Sequence, residues 1–252
     1  MKCHFFGSIV NSVEIVLPMC YDLADKNKQG RYDMGKTGED YKNEVVTYAK
    51  ILDEKGLVNT VEGNLSVLDR ETGKLYVTPS GTRKRFLDAD KIAVMQNGEQ
   101  VEGSLLRSSE YLMHLEALKA RPTCNAVAHV HSPYLTAYAY CGKDISIKCS
   151  SSFAILFGEK IPCIPYGEAA TSHIADGLAE ALKDNDLVLL ANHGVISVGR
   201  TLEDAVKLIE AAEEVMKIYS YAKQIGQTSD LSDEQLESIF EHHPGSKRNR
   251  LR

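Results

Sequence analysis

Residues 125–134 read NAVAHVHSPY. The apolar run up to His131 holds two histidines one residue apart. As a strand, it places side chains two apart on the same face, so His129 and His131 point the same way. Ser132-Pro133 then suits a helix start, because proline is tolerated at the first helical position. Two readings of the histidines stay open here. They are half-buried side chains with satisfied ring nitrogens, or two ligands that converge on one ion at about 2.0–2.1 Å.

Further along, DLVLLANHGVISVG (186–199) reads as two buried strand runs with a turn at Asn192-His193-Gly194. A polar residue at the end of an apolar strand, beside a glycine that permits close backbone approach, is a frequent position for chemistry. His193 is thus an ordinary turn residue or a third imidazole. Three protein ligands with one position left open is the arrangement of catalytic rather than structural zinc.

The rest of the chain alternates helical and strand patterns. DYKNEVVTYAKILDEKG (40–56) places Val45, Ala49 and Leu52 on one helical face and stops at Gly56. NLSVL and KLYVTP read as strands joined by the turn DRETG. SSEYLMHLEALKA (108–120) reads as a helix capped by Ser108 or Ser109, with Leu112, Leu115 and Leu118 on related faces. In TLEDAVKLIEAAEEVMKIYSYAKQIG (201–226), Thr201 caps the longest helix and Gly226 ends it. Leu202, Ala205, Ile209, Ala212, Met216 and Tyr219 form its apolar stripe. The sum is one α/β domain of roughly 200 residues.

Glu110 sits in the first turn of the 108–120 helix, where the helix dipole alone favours an acid. Its other reading is a general base beside a metal. His114, one turn on, reads as a core or supporting residue rather than a ligand. Three small-residue stretches, EGNLS, TPSGT and RSSE, are each plain turns or caps when taken singly. Together they offer backbone N–H groups, hydroxyls and a helix N-terminus, the means by which a neutral site holds phosphate.

The chain has 252 residues, 43% hydrophobic and 25% charged, with a net charge of -6. That is ordinary for a globular protein and long enough to bury a sizeable core. No basic block exceeds the short tail SKRNRLR, so a nucleic-acid footprint is not expected. The six cysteines form no C-x-x-C pair and read as reduced thiols of a cytoplasmic protein. FFGSIVNSVEIVLPMC (5–20) is too short to span a bilayer, and Asn11 and Glu14 interrupt it, so no membrane association is expected. The polar, turn-rich residues 22–40 read as linker. The expected organisation is a poorly ordered extension over 1–39, with Met34 as an alternative start, a domain over 40–240, and a basic tail over 241–252.

Taken in order, GNLS, TPSGT, RSSEYLMH, AHVHSPY, IPCIPYG and LLANHGVISVG resemble the motifs of the class II aldolase/adducin family, over about residues 40 to 240. The resemblance implies a three-layer α/β/α single domain with a mostly antiparallel central sheet, assembled as a homotetramer. It implies that His129, His131 and His193 bind one divalent metal per subunit, usually zinc, and that Glu110 is the acid/base residue. It implies that Gly63, Asn64, Ser80, Gly81, Ser108 and Ser109 hold a substrate phosphate. The expected activity is cleavage of a ketose 1-phosphate, L-fuculose 1-phosphate or a related deoxy-ketose phosphate, to dihydroxyacetone phosphate and an aldehyde.

Sibling reactions on the same scaffold are ribulose-phosphate 4-epimerisation and methylthioribulose-1-phosphate dehydration. Epimerases show aspartate in the SSD position, so the glutamate of SSE favours the aldolase. A non-catalytic adducin-like module lacks the metal-binding histidines, which this chain keeps. The chain also departs from the aldolases. Residues 141–160 and 241–250 contain no tyrosine where the aldolases have one, and Phe157-Gly158 replaces a Gly-Gly pair. Lys148, Ser150, Ser151, Ser152, His242 and His243 are the candidate replacements as proton donor.

Overall fold

The computed structural model describes residues 35–168 and 172–250. The N-terminal extension as far as Met34 lies outside them. Helix α1 spans Gly38–Glu54, two residues ahead of the expected boundary. Thr37 and Asp40 start it there by bonding each other's backbone N–H, a reciprocal cap that leaves two fewer orphan donors. There follow β1 (Asn64–Asp69), β2 (Lys74–Val77), β3 (Ala93–Gln96), β4 (Glu99–Glu102), α2 (Tyr111–Ala120), β5 (Ala126–Val130), α3 (Pro133–Tyr140) and α4 (Ser151–Phe157). The chain continues through β6 (Cys163–Ile164), α5 (Leu178–Ala181), β7 (Leu187–Leu190), β8 (Gly194–Gly199), α6 (Leu202–Ile225), α7 (Asp233–His242) and α8 (Lys247–Arg250).

The strands form one sheet in the order β4-β3-β2-β1-β5-β8-β7-β6. Every neighbouring pair is antiparallel except the edge pair β6–β7. Alternation along the strands divides the core between the two faces. Leu65, Val67, Ala126, Ala128, Val130 and Val195 face one side, packed with residues of α1, α3, α4 and α6. Val77, Val127, Ile196 and Val198 face the other, packed with Met113, Ala117 and Leu118 of α2 and Leu178 of α5. This is the expected α/β/α sandwich, with a sheet that is mixed only at its edge.

Parity then decides where the polar residues go. Asn64 and Ser66 of β1 share Val127's side, as do His129 and His131, so all four face α2. The β1–β5 register sets Asn64 opposite His129.

Two local expectations are corrected. Helix α2 begins at Tyr111, later than a cap at Ser108 or Ser109 requires. Arg107 pairs with Pro79 as a β-bridge and the Ser108 N–H bonds the Thr78 carbonyl, and Ser109-Glu110 then turn into the helix, with the Tyr111 N–H on the Ser108 carbonyl at 3.4 Å. Ser108 still contributes, since its Oγ accepts the Glu110 N–H at 3.2 Å. The buried residues of α2 are Tyr111, Met113, His114, Ala117 and Leu118, while Leu112 is exposed. The sheet lies beneath Met113 and Ala117, and that placement overrides the leucine spacing.

Lys247 donates to the Phe157 carbonyl and to Asn185 Oδ1, which fastens α8 to the domain. Among the described residues no helix is long and apolar enough to cross a membrane. Cys124, Cys141, Cys149 and Cys163 are free thiols.

Candidate active site

The end of β5 and the β7–β8 turn bring His129, His131 and His193 together, with their ligand atoms all within 4.8 Å of one another. The turn depends on two backbone features. Asn192 adopts the left-handed conformation at φ 59°, which asparagine tolerates better than most residues. Gly194 has no room for a side chain, because a Cβ there would lie 2.6 Å from the Val130 carbonyl oxygen and 2.7 Å from His131 Cδ2.

Partners fix the tautomers. His129 Nδ1 lies 2.9 Å from the Val195 carbonyl, which only accepts, so Nδ1 carries the proton. His131 Nδ1 likewise donates to the Glu62 carboxylate at 3.2 Å. In both neutral rings the bare Nε2 is then left facing inward, and the two Nε2 atoms are 2.9 Å apart. Two lone pairs at that distance repel unless a cation lies between them. The donor set therefore fits a divalent metal, with carbonyl and carboxylate groups orienting the rings from behind. His193 Nδ1 is buried without a hydrogen-bond partner among the described residues.

Glu110 closes the group from the end of α2. Its Oε1 lies 3.1 Å from His193 Nε2 and its Oε2 lies 3.4 Å from His129 Nε2. Asn64 Nδ2 donates to Oε2 at 2.7 Å. The Asn64 amide is oriented in turn by His114 Nε2, which donates to its Oδ1. His114 Nδ1 accepts the Ser66 hydroxyl at 2.7 Å. A directed chain therefore runs Ser66, His114, Asn64, Glu110, each link fixing the donor sense of the next.

Electrostatics holds this chain in one protonation state. Burial presses the Glu110 carboxyl toward its neutral form, but the imidazoles of His129 and His193 and the Asn64 amide more than offset this. Glu110 stays well below the usual carboxylate range and is ionised. Burial pushes His129 down to about 3 and His114 down to about 4, so both are neutral at pH 7. His131 is lowered too, first by burial and then by His193.

The three small-residue stretches lie side by side. The Leu65 N–H bonds Thr78 Oγ1 and the Thr78 N–H bonds the Leu65 carbonyl, joining EGNLS to TPSGT. The Ser80 N–H bonds the Leu106 carbonyl, joining TPSGT to the approach to RSSE. Ser80, Gly81 and Ser109 are exposed, while Gly63, Asn64 and Ser108 are buried. Gly63 is left-handed at φ 78°, and a Cβ there would meet Val58 Cγ1 at 2.7 Å. Asn64 and Ser108 already bond Glu110 through its carboxylate and its N–H.

The replacements considered for the absent tyrosines are placed as follows. Ser150 caps α4 by accepting the Phe153 N–H, and Lys148 pairs with Asp233 at 3.0 Å. His242 and His243 donate to the carbonyls of Ser238 and Ile239. Ser151 and Ser152 are exposed at the start of α4. Sequence reasoning missed Glu62 and Glu213, and took Ser66 only as one of the small residues of EGNLS. Glu213 of α6 accepts the Ser132 hydroxyl at 2.8 Å and the N–H groups of Tyr134 and Leu135 at 2.8 and 2.9 Å. It thereby caps α3 directly behind His131. Nothing local in the sequence marks Glu62 or Glu213.

The chain belongs to the family described as class II aldolase and adducin N-terminal domain, whose model matches residues 43–220. It is 32% identical over 206 residues to 5-deoxy-D-ribulose 1-phosphate aldolase of Bacillus thuringiensis serovar kurstaki, covering 81% of this chain and 95% of that protein. It is 33% identical to 3-oxo-tetronate 4-phosphate decarboxylase of Escherichia coli, covering 74% of this chain and 89% of that one. A solved structure of L-fuculose 1-phosphate aldolase superposes with a TM-score of 0.72 at 35% identity, covering 81% of this chain and 95% of that chain.

Proposed function

We propose that this protein is a metal-dependent aldehyde-lyase that cleaves a deoxy-ketose 1-phosphate to dihydroxyacetone phosphate and a short aldehyde. The observation that carries the proposal is the convergence of three imidazoles on one point, faced by an ionised, doubly anchored Glu110. His129, His131 and His193 would hold the cation, with zinc as the expected ion. The relatives' names favour sugar phosphates, and the 5-deoxy-ribulose relative favours a deoxy-pentulose. The reading includes a cytoplasmic homotetramer.

Cleaving the carbon–carbon bond leaves an electron pair on the phosphate-bearing fragment, spread onto an oxygen. A cation held here supplies Lewis acidity toward that oxygen, and three neutral ligands leave its charge uncancelled. Glu110, ionised at rest, takes up a proton from the substrate and returns one to the carbon freed by cleavage. The chain Ser66, His114 and Asn64 keeps its carboxylate aimed throughout. Gly63, Asn64, Ser80, Gly81, Ser108 and Ser109 would grip the phosphate, so that binding energy remote from the reacting bond orients it.

The decarboxylase relative motivates a second reading. Loss of carbon dioxide from a 3-oxo acid also leaves an electron pair beside a carbonyl, and the same cation and acid would serve it. A panel of ketose 1-phosphates and 3-oxo sugar acid phosphates, each with and without chelator, separates the two. Aldehyde release that chelation abolishes supports the lyase. Carbon dioxide release alone moves the assignment to the decarboxylase, and activity that survives removal of the metal refutes both.

A further inference from the structure

Lys84 opens the short turn Lys84–Phe86 and is 1% exposed, one of the largest fully buried side chains of the described residues. A buried ammonium is costly unless its hydrogens find acceptors. Its Nζ donates to the Val61 carbonyl at 3.0 Å and to the Thr82 carbonyl at 3.2 Å. Those carbonyls belong to different loops. Val61 lies two residues before Gly63-Asn64, and Thr82 directly follows Ser80-Gly81. The two bonds engage two of the three ammonium hydrogens and leave a third.

The surroundings keep the group charged but not neutralised. Burial pushes its pKa down to about 8, while Asp53, Glu110 and Glu62 act in the opposite direction. Asp53 is already committed to Arg85 at 2.5 Å. Glu110 and Glu62 are the two carboxylates that touch the histidine group, so the charge on Lys84 is felt at the centre of the site. An alkyl chain of lysine length is not needed to fill a core. A leucine or methionine would do so without the cost of burying charge.

We infer that Lys84 is the buried cation of the substrate-anion site, a positioning residue that ties the Val61–Asn64 loop to the Ser80–Thr82 loop and makes the space between them electropositive. The inference rests on the phosphate-binding reading above and assigns the charge that the site's neutral donors lack. A phosphate dianion leaving water gains from a fixed cation held in low dielectric, and the gain needs no direct contact.

The test is binding of inorganic phosphate to the metal-loaded protein, with steady-state kinetics on the ketose 1-phosphate that proves to be cleaved. Lys84→Met is expected to weaken phosphate binding about tenfold and to raise KM by a similar factor, with kcat changed far less. Zinc affinity in chelator competition should stay within about twofold, since no histidine contact is lost. Lys84→Arg should restore much of the phosphate affinity. If Lys84→Met does not fold, the wild-type protein carries the test. Phosphate affinity relative to that of Lys84→Arg should fall between pH 7 and about pH 10 as the ammonium loses its proton, the ratio cancelling the titration of phosphate itself and of metal-bound water. The charged groups facing Lys84 are the carboxylates of Asp53, Glu62 and Glu110, with Arg83 and Arg85 beyond Asp53, and carboxylates and guanidinium groups do not titrate in that window.

Unchanged phosphate affinity in Lys84→Met, or a wild-type profile that runs parallel to that of Lys84→Arg, overturns the inference and leaves the lyase assignment standing. Wild-type protein that cleaves its substrate but binds no phosphate overturns the phosphate site and the inference together.

Discussion

A methyl group at position 194 would lie 2.6 Å from a backbone carbonyl and 2.7 Å from the His131 ring, and neither neighbour is a flexible side chain end. Gly194→Ala is therefore expected to destabilise the fold by about 1–3 kcal/mol, the range for overpacking, and to spread the imidazoles. Thermal melts and zinc titration check both effects, and a variant that melts and binds like wild type would contradict the contact. Glu62 acts on the same ring from behind. Replacing it by Ala removes the acceptor that keeps the His131 proton on Nδ1, and zinc affinity should fall about 10–100-fold. Glu62→Gln keeps an acceptor oxygen and should lose much less. The Gly194 requirement was half legible, since Asn-His-Gly after an apolar run marks a close approach. Glu62 was not, because it lies 69 positions from His131 in sequence and meets it only once β1 and β5 pair.

Helices in this fold carry their start signals in sequence and their purpose in packing. Thr201 and Asp204 cap α6 reciprocally, as expected at the residue next to Leu202. Thr201→Ala should cost about 1 kcal/mol in chemical unfolding. Glu213 of the same helix is 7% exposed and meets three donors at the start of α3. Glu213→Ala strands those donors and should cost roughly 1–3 kcal/mol, more than the cap, with zinc binding weakened because His131 adjoins Ser132. Denaturant titration of the two variants ranks them, and the reverse order would count against the buried cap. Helix α2 shows where local reading fails. Its serines look like caps, but pairing with Thr78 and Pro79 holds Ser108 out of the helix, Ser109-Glu110 form a turn, and the start moves to Tyr111.

Over the whole molecule, buried imidazoles make stability depend on pH. His114 and His129 stay neutral in the fold down to about 4 and about 3, against 6.5 for the free side chain. Between those values the unfolded chain binds more protons than the folded one. Stability is complete above about pH 6.5 and is lost as pH falls, by about 1.4 kcal/mol per pH unit for each group. Glu110, lowered in the fold, adds to the loss further down in pH. Urea midpoints at pH 7, 6 and 5 should decline steadily, and level midpoints would contradict buried neutral histidines. On the proposed reading, added zinc should raise the melting temperature and chelator should lower it, because only the folded chain assembles the three histidines.

The sequence by itself determined what depends on near neighbours. The period of two along β5 put His129 and His131 on one face. The helix caps at Thr201 and Ser132-Pro133 and the Asn-His-Gly turn stood in plain view, as did the serial order of the motifs. Only the tertiary structure decided what each polar atom meets. Asn64 and Ser66 join His114 across 50 and 48 positions. Lys84 spans 23 positions to reach the Val61 carbonyl. The physical reason is range. Side-chain period and capping arise from torsions and bonds within a few residues, whereas those partners exist only after register and layer packing have brought distant segments together.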